Sequence, residues 1–151
     1  MTMYLDSSII VKLIVREADS DWFDRELQGE AFESSEIALT EVRSALLAKE
    51  RAGHITLRER VSATERFLAM VEDDEIRMFP VSRAVLNRAS AIQLACHPRI
   101  PLRTLDAFHV ATCDLHHSGT LSTTDARMRA ACEQFAIALV PAKPEDVKAS
   151  S

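Results

Sequence analysis

Four carboxylates stand apart from the other acidic residues because their surroundings are not those of a solvated surface. Asp6 directly follows a short apolar run, MYLD, and Asp125 stands in the same relation to LSTTD. Asp106 lies inside the apolar stretch TLDAFHVATC. Glu41 has Ile37, Ala38, Ser44 and Ala45 one helical turn away, whereas Glu36, Thr40 and Arg43 mark the polar side of the same stretch. A carboxylate on an apolar face requires a compensating partner. Singly, each has a purely structural explanation. Asp6 and Asp125 read as helix N-caps, Asp106 as an acid complementing a helix dipole, and Glu41 as a snorkelling side chain. Gathered together they carry chemistry. Several carboxylates within a few ångströms cannot all stay ionised without a cation. An oxygen-only donor set selects a hard ion, Mg²⁺ or Mn²⁺. Such a site engages phosphate oxygens and acidifies water, so the chemistry implied is metal-assisted phosphodiester hydrolysis.

The elements that must position these acids alternate along the chain. MYL (3–5), AFES (31–34), EIRMFPV (75–81), TLST (120–123) and IALV (137–140) read as short strands. Between them lie helical stretches: from Ser7 or Ser8, with a serine cap, to about Glu17; SDWFDRELQ; SEIALTEVRSALLAKERAG; TLRERVSATERFLAMVEDD; SRAVLNRASAIQLA; Thr104 to about His117; and ARMRAACEQF. Thr56 with Glu59 forms a capping-box pattern, and Gly29, Gly53 and Gly119 each fall where a helix should end. Strand and helix in alternation predict a parallel sheet covered on both faces, with ligands bound beyond the carboxyl ends of the strands. Asp6 and Asp125 both sit at such ends. Residues 1–140 read as one domain, and 141–151, PAKPEDVKASS, as a loose polar tail.

Composition bounds the rest. The chain has 151 residues, 47% of them hydrophobic, and a net charge of −5. It is therefore not a bulk-basic nucleic-acid binder, although an acid-lined active site would itself make the total acidic. Cys96, Cys113 and Cys132 are an odd, scattered set, which argues for a reducing compartment. The first residues show neither a basic leader nor an uninterrupted apolar span, since Asp6 and Lys12 break it. A cytoplasmic protein without a membrane segment is expected.

LDSSIIVKL, the glutamate in IALTEVRSAL, LRTLDAFHVATC and LSTTDARMRAA together resemble the PIN-domain ribonucleases, most of all the VapC toxins of bacterial toxin–antitoxin pairs. The likeness runs from about residue 3 to 140. It implies a three-layer α/β/α domain with a five-stranded parallel sheet whose first and fourth strands are adjacent. It implies Asp6 and Asp106 as principal metal ligands, Glu41 and Asp125 as the acids completing the site, and Ser7 and Thr123 as supporting hydroxyls. It further implies endonucleolytic RNA cleavage with Mg²⁺ or Mn²⁺, a homodimer, and neutralisation by a small VapB-like antitoxin. One departure is visible: QFAIALV has alanine where the family usually carries glycine before the last strand.

Other constellations compete. His109, Cys113, His116 and His117 follow Asp106 at helical spacing, and Cys113 with His116 is a candidate zinc pair in a non-catalytic module. His109 either lines the cleft or packs beside it with one hydrogen bond. An RNA-processing nuclease without an antitoxin has the same acids. Aspartyl phosphoryl transfer is disfavoured, because the position two after Asp6 is Ser8 and the first strand lacks an acidic pair. Arg127 and Arg129, which follow Asp125, and Arg103 are the candidates for holding RNA phosphates, with Arg83 and Arg99 as further rim arginines. The amphipathic stretches 36–52 and 56–71 are candidate partner surfaces.

Overall fold

Met3 and Leu5 point to one side of the first strand and Tyr4 to the other, and this alternation divides the hydrophobic interior in two. In the computed structural model, which describes residues 1–150, β1 (Thr2–Leu5) is the central strand of a five-stranded sheet ordered β3-β2-β1-β4-β5. Its partners are β2 (Ala31–Ser35) and β4 (Thr120–Ser122), with β3 (Ile76–Phe79) and β5 (Ala138–Val140) at the edges. All four pairings are parallel, and Leu5 stands opposite Ser122. The first and fourth strands are therefore neighbours, as the resemblance implied.

Seven helices cover the sheet. Met3 and Leu5 pack with apolar side chains of α1 (Ser7–Ile14), α2 (Ser20–Glu26), α3 (Ala38–Arg51) and α4 (Leu57–Glu72). Tyr4 packs with those of α5 (Arg83–Cys96), α6 (Thr104–Leu115) and α7 (Ala126–Gln134). Helix–sheet–helix layering follows because a sheet whose two faces are both apolar must be covered on both.

Local signals explain most helix starts. The Thr56–Glu59 capping box is formed, each partner accepting the other's backbone N–H at 3.1 Å. Gly29, Gly53 and Gly119 adopt positive φ (83°, 78° and 83°), where a Cβ is disfavoured. One helix needs correction. Helix α1 is capped by Asp6 rather than by a serine, and it stops at Ile14, short of Glu17. The start of α6 is capped by the backbone of Arg103, so Thr104 is its first residue and Asp106 its third. Beyond β5 a 3₁₀ turn forms at Pro144–Asp146, and Ser150 N–H donates to the Ala18 carbonyl at 2.6 Å. Among the described residues, no helix is long and apolar enough to cross a membrane.

Candidate active site

The ends of β1 and β4 deliver the first two acids. Asp6 N–H donates to Ser122 O at 3.3 Å, which continues the β1–β4 ladder one residue beyond the strand. The carboxylate of Asp6 then divides its labour. Oδ1 accepts from Ile9 N–H at 2.9 Å, capping α1, and from Ser8 Oγ at 2.7 Å. Oδ2 accepts from Thr123 Oγ1 at 2.5 Å. Asp125 behaves alike, its Oδ1 capping α7 through Met128 N–H at 2.8 Å while Oδ2 turns to the cleft. Thr123 ties the two together, since its hydroxyl also accepts from Asp125 N–H at 3.0 Å. The cap reading of these aspartates is thus correct, and the same two side chains line the cleft.

The other two acids come from opposite layers. Asp106, in the first turn of α6, is buried, with Oδ2 2.8 Å from Arg103 Nε. Glu41, in the first turn of α3, reaches over the end of the sheet, where Oε1 accepts from Ser7 Oγ at 2.8 Å and lies 2.6 Å from His109 Nε2. Asp6, Ser7, Ser8, Glu41, Arg103, Asp106, His109, Asp125 and Met128 line one small cavity of about 160 Å³. A larger cavity of about 610 Å³ lies against α1 and α4, lined by Ile14, Ile55, Ala63 and their neighbours, and none of the four acids lines it.

Electrostatics separates the acids. Burial pushes the Asp6 carboxyl above its ordinary 3.8, against the opposing pull of the Thr123 hydroxyl, the Ile9 N–H and Ser8. Burial also pushes Glu41 up, but hydrogen bonds from His109 and Ser7 and the nearby Arg103 outweigh it and hold the carboxyl below 4.5. His109 is itself fixed from behind. Its Nδ1 lies 2.8 Å from the hydroxyl of fully buried Tyr4, whose pKa burial drives well above 10.0. Glu41, whose carboxyl is held ionised, can only accept from the ring. The imidazole hydrogen then sits on Nε2 and is donated to Glu41.

His109 is therefore more than a packed neighbour with one hydrogen bond, and Tyr4 and Ser8 are site residues that the acid pattern did not reveal. The signal for His109 was its place one turn after Asp106. That for Tyr4 was the chain's single tyrosine, placed in the strand leading into Asp6.

The arginines part company. Arg103 lies at the cavity mouth, Arg127 is exposed, and Arg99 donates to Gln134 Oε1 at 2.7 Å. Arg129 is corrected: it is buried and donates to the carbonyls of Thr123 at 3.1 Å, Pro141 at 2.8 Å and Ala142 at 3.1 Å. Its donors clamp the chain after β5 and do not face the cleft. The zinc pair is corrected as well. Cys113 is buried and its thiol is pushed upward by burial, while exposed His116 stacks on Phe79 with ring centroids 3.6 Å apart.

The donor set suits a hard divalent ion: all four acids offer oxygen, they come from four separate elements, and one cavity gathers them. Yet, among the described residues, no three acidic or imidazole side chains stand as a ready ligand cluster. The reason is visible in the contacts, for Glu41 is drawn to His109 and Ser7, and Arg103 holds Asp106 and Asp125.

A parallel α/β/α sandwich with acids at the ends of two adjacent inner strands defines the class: the chain belongs to the PIN domain family, which matches residues 3–134. Its relatives include Ribonuclease VapC46 of Mycobacterium tuberculosis (strain ATCC 25618 / H37Rv), 37% identical over 144 residues, covering 91% of this chain and 95% of that protein. Ribonuclease VapC35 of the same species is 31% identical over 146 residues, with the same coverage. Among solved structures, VapC20 of M. tuberculosis, described as a Sarcin-Ricin loop cleaving toxin, superposes with a TM-score of 0.65 at 20% identity, covering 85% of this chain and 94% of that one. FitAcB from Neisseria gonorrhoeae gives 0.67 at 18% identity, covering 91% and 95%. These two likenesses speak for the fold.

Proposed function

We propose that this protein is the toxin of a VapBC-type pair, an endoribonuclease that cleaves RNA with Mg²⁺ or Mn²⁺ and is neutralised by a small VapB-like antitoxin. The observation that carries the reading is the convergence of Asp6, Glu41, Asp106 and Asp125 on one cavity beyond β1 and β4. Those four side chains would hold the ion. When bound, it supplies positive charge to the phosphodiester oxygens and acidifies water for in-line attack. Asp6 and Asp125 present their carboxylates from helix caps, so their positions are set by backbone. His109 and Ser7 orient Glu41. Arg127, exposed two residues after Asp125, is the arginine we assign to the RNA backbone.

The partner side of the proposal has support of its own. Relatives in solved toxin–antitoxin complexes include one from Klebsiella pneumoniae, with a TM-score of 0.59 at 16% identity, covering 85% of this chain and 90% of that one. Leu57, Val61 and Leu68 form an exposed apolar stripe on α4, 60%, 41% and 46% accessible. Such a stripe suits a partner helix or a second copy in a homodimer. Three buried, unpaired cysteines accord with a cytoplasmic setting.

The test is cleavage of single-stranded and structured RNAs with added Mg²⁺ or Mn²⁺ and with chelator. Cleavage that persists in chelator, or in the double variant Asp6→Asn/Asp106→Asn, would overturn the mechanism. Growth arrest on expression, relieved by co-expressing the neighbouring gene, would mark a toxin.

A further inference from the structure

Arg103 Nε lies 2.8 Å from Asp106 Oδ2, and Nη2 of the same guanidinium lies 3.3 Å from Asp125 Oδ2. These contacts are selective. Asp125 already spends Oδ1 on capping α7, so the guanidinium takes the oxygen left facing the cavity. Among the residues lining that cavity, Arg103 alone carries a permanent positive charge. It caps α6 through its backbone, with no side-chain cap bond, and its side chain is 62% exposed. It can therefore swing out without disturbing the core. It cannot leave by losing its proton, because guanidinium stays charged at any ordinary pH.

We propose that Arg103 is the resident counter-ion of the acidic site, a tethered cation that occupies the free oxygens of Asp106 and Asp125 and must be displaced before a divalent ion takes them. The inference rests on the metal-site reading of the four acids. It explains why the carboxylates share a cavity without forming a ready ligand cluster. The guanidinium is broad and planar, and in bridging two helix starts it holds their carboxylates further apart than a small ion would. Displacement is cheap because the guanidinium is 62% exposed and water receives it as it leaves.

The test is Mn²⁺ binding by calorimetry in the wild type, Arg103→Gln, Arg103→Lys and Asp106→Asn, with circular dichroism to confirm folding. Removing the competitor in Arg103→Gln should tighten Mn²⁺ binding roughly fivefold, the discount appropriate to an exposed guanidinium. Arg103→Lys should fall between, because an ammonium keeps the charge but lacks the fork that bridges two carboxylates. In chelator, Arg103→Gln should melt below the wild type. If Arg103→Lys binds Mn²⁺ as the wild type does, the effect is general charge repulsion and the inference fails. Unchanged or weaker binding by Arg103→Gln also overturns it, while loss of binding in Asp106→Asn keeps the metal site itself intact as a reading. A wild type that binds no Mn²⁺ overturns both.

Discussion

His109 Nε2 lies 2.6 Å from Glu41 Oε1, joining two residues 68 positions apart that belong to opposite layers of the sandwich. The contact closes over the end of the sheet, and it fixes a glutamate whose own helix leaves it free to rotate. Replacing His109 with alanine releases Glu41 and leaves the Tyr4 hydroxyl buried without its partner. RNA cleavage should fall about 10- to 100-fold, the range for groups that orient ligands. Tyr4→Phe, which keeps the packing, should cost about 1 kcal/mol of stability and far less activity. Steady-state kinetics and urea unfolding of the two variants separate the effects.

Asp6 links the site to stability. Burial holds its folded pKa above 3.8. Between the unfolded and folded values the native chain binds more protons, so the stability tied to this group is present below 3.8 and lost as pH rises through the folded value. Asparagine caps helices as well as aspartate does. In chelator, Asp6→Asn should therefore melt no lower than the wild type at neutral pH, and its advantage should shrink towards about pH 4. Added Mn²⁺ should raise the wild-type Tm but not that of the variant. A variant that melts well below the wild type at neutral pH contradicts the assignment.

Glu41 runs the other way. Its folded pKa lies below 4.5, so its contribution is present above that value and lost as pH falls through the folded one. Glu41→Gln should flatten the acid limb of the Tm–pH curve, which differential scanning calorimetry at several pH values would show.

Two arginines two positions apart should behave differently. Arg129→Ala leaves buried carbonyls unpaired and should cost about 2–3 kcal/mol, a fall in Tm of roughly 4–12 °C, without changing the affinity of the folded fraction for RNA. Arg127→Ala should leave Tm unchanged and weaken RNA binding, with a shallower dependence on salt. Melting curves and filter binding at two salt concentrations check both.

Thr123 joins Asp6 to Asp125 by donating to one and accepting from the other. Thr123→Val keeps its shape and should lose about 1–2 kcal/mol together with much of the cleavage rate. Thr123→Ser should restore both. A valine variant with full activity would remove Thr123 from the site.

Much of this arrangement was legible because the physics behind it is local. A parallel sheet puts the ends of β1 and β4 at one edge, so Asp6 and Asp125, each just past a strand, converge by topology alone. Glu41 betrayed itself by sitting on an apolar face. The partnership of His109 with Tyr4 spans 105 residues, and in the sequence an imidazole in a buried helix looks the same whether it packs or orients. Arg129 could have been read better. Its face of α7 carries Cys132 three residues on, while Arg127 lies on the opposite side. The hold on Pro141 and Ala142 was hidden because its acceptors are backbone carbonyls, which leave no trace in residue type.

That Asp6 and Asp125 start helices as well as face the cleft has a genetic consequence. One base substitution turns an aspartate codon into an asparagine codon, and the new residue still starts the helix. On the proposed reading of the site, a lineage under pressure to silence this enzyme can do so in one step and retain a folded, abundant, inert protein. Such a protein would keep the surfaces that bind its partners and could compete with active copies for them.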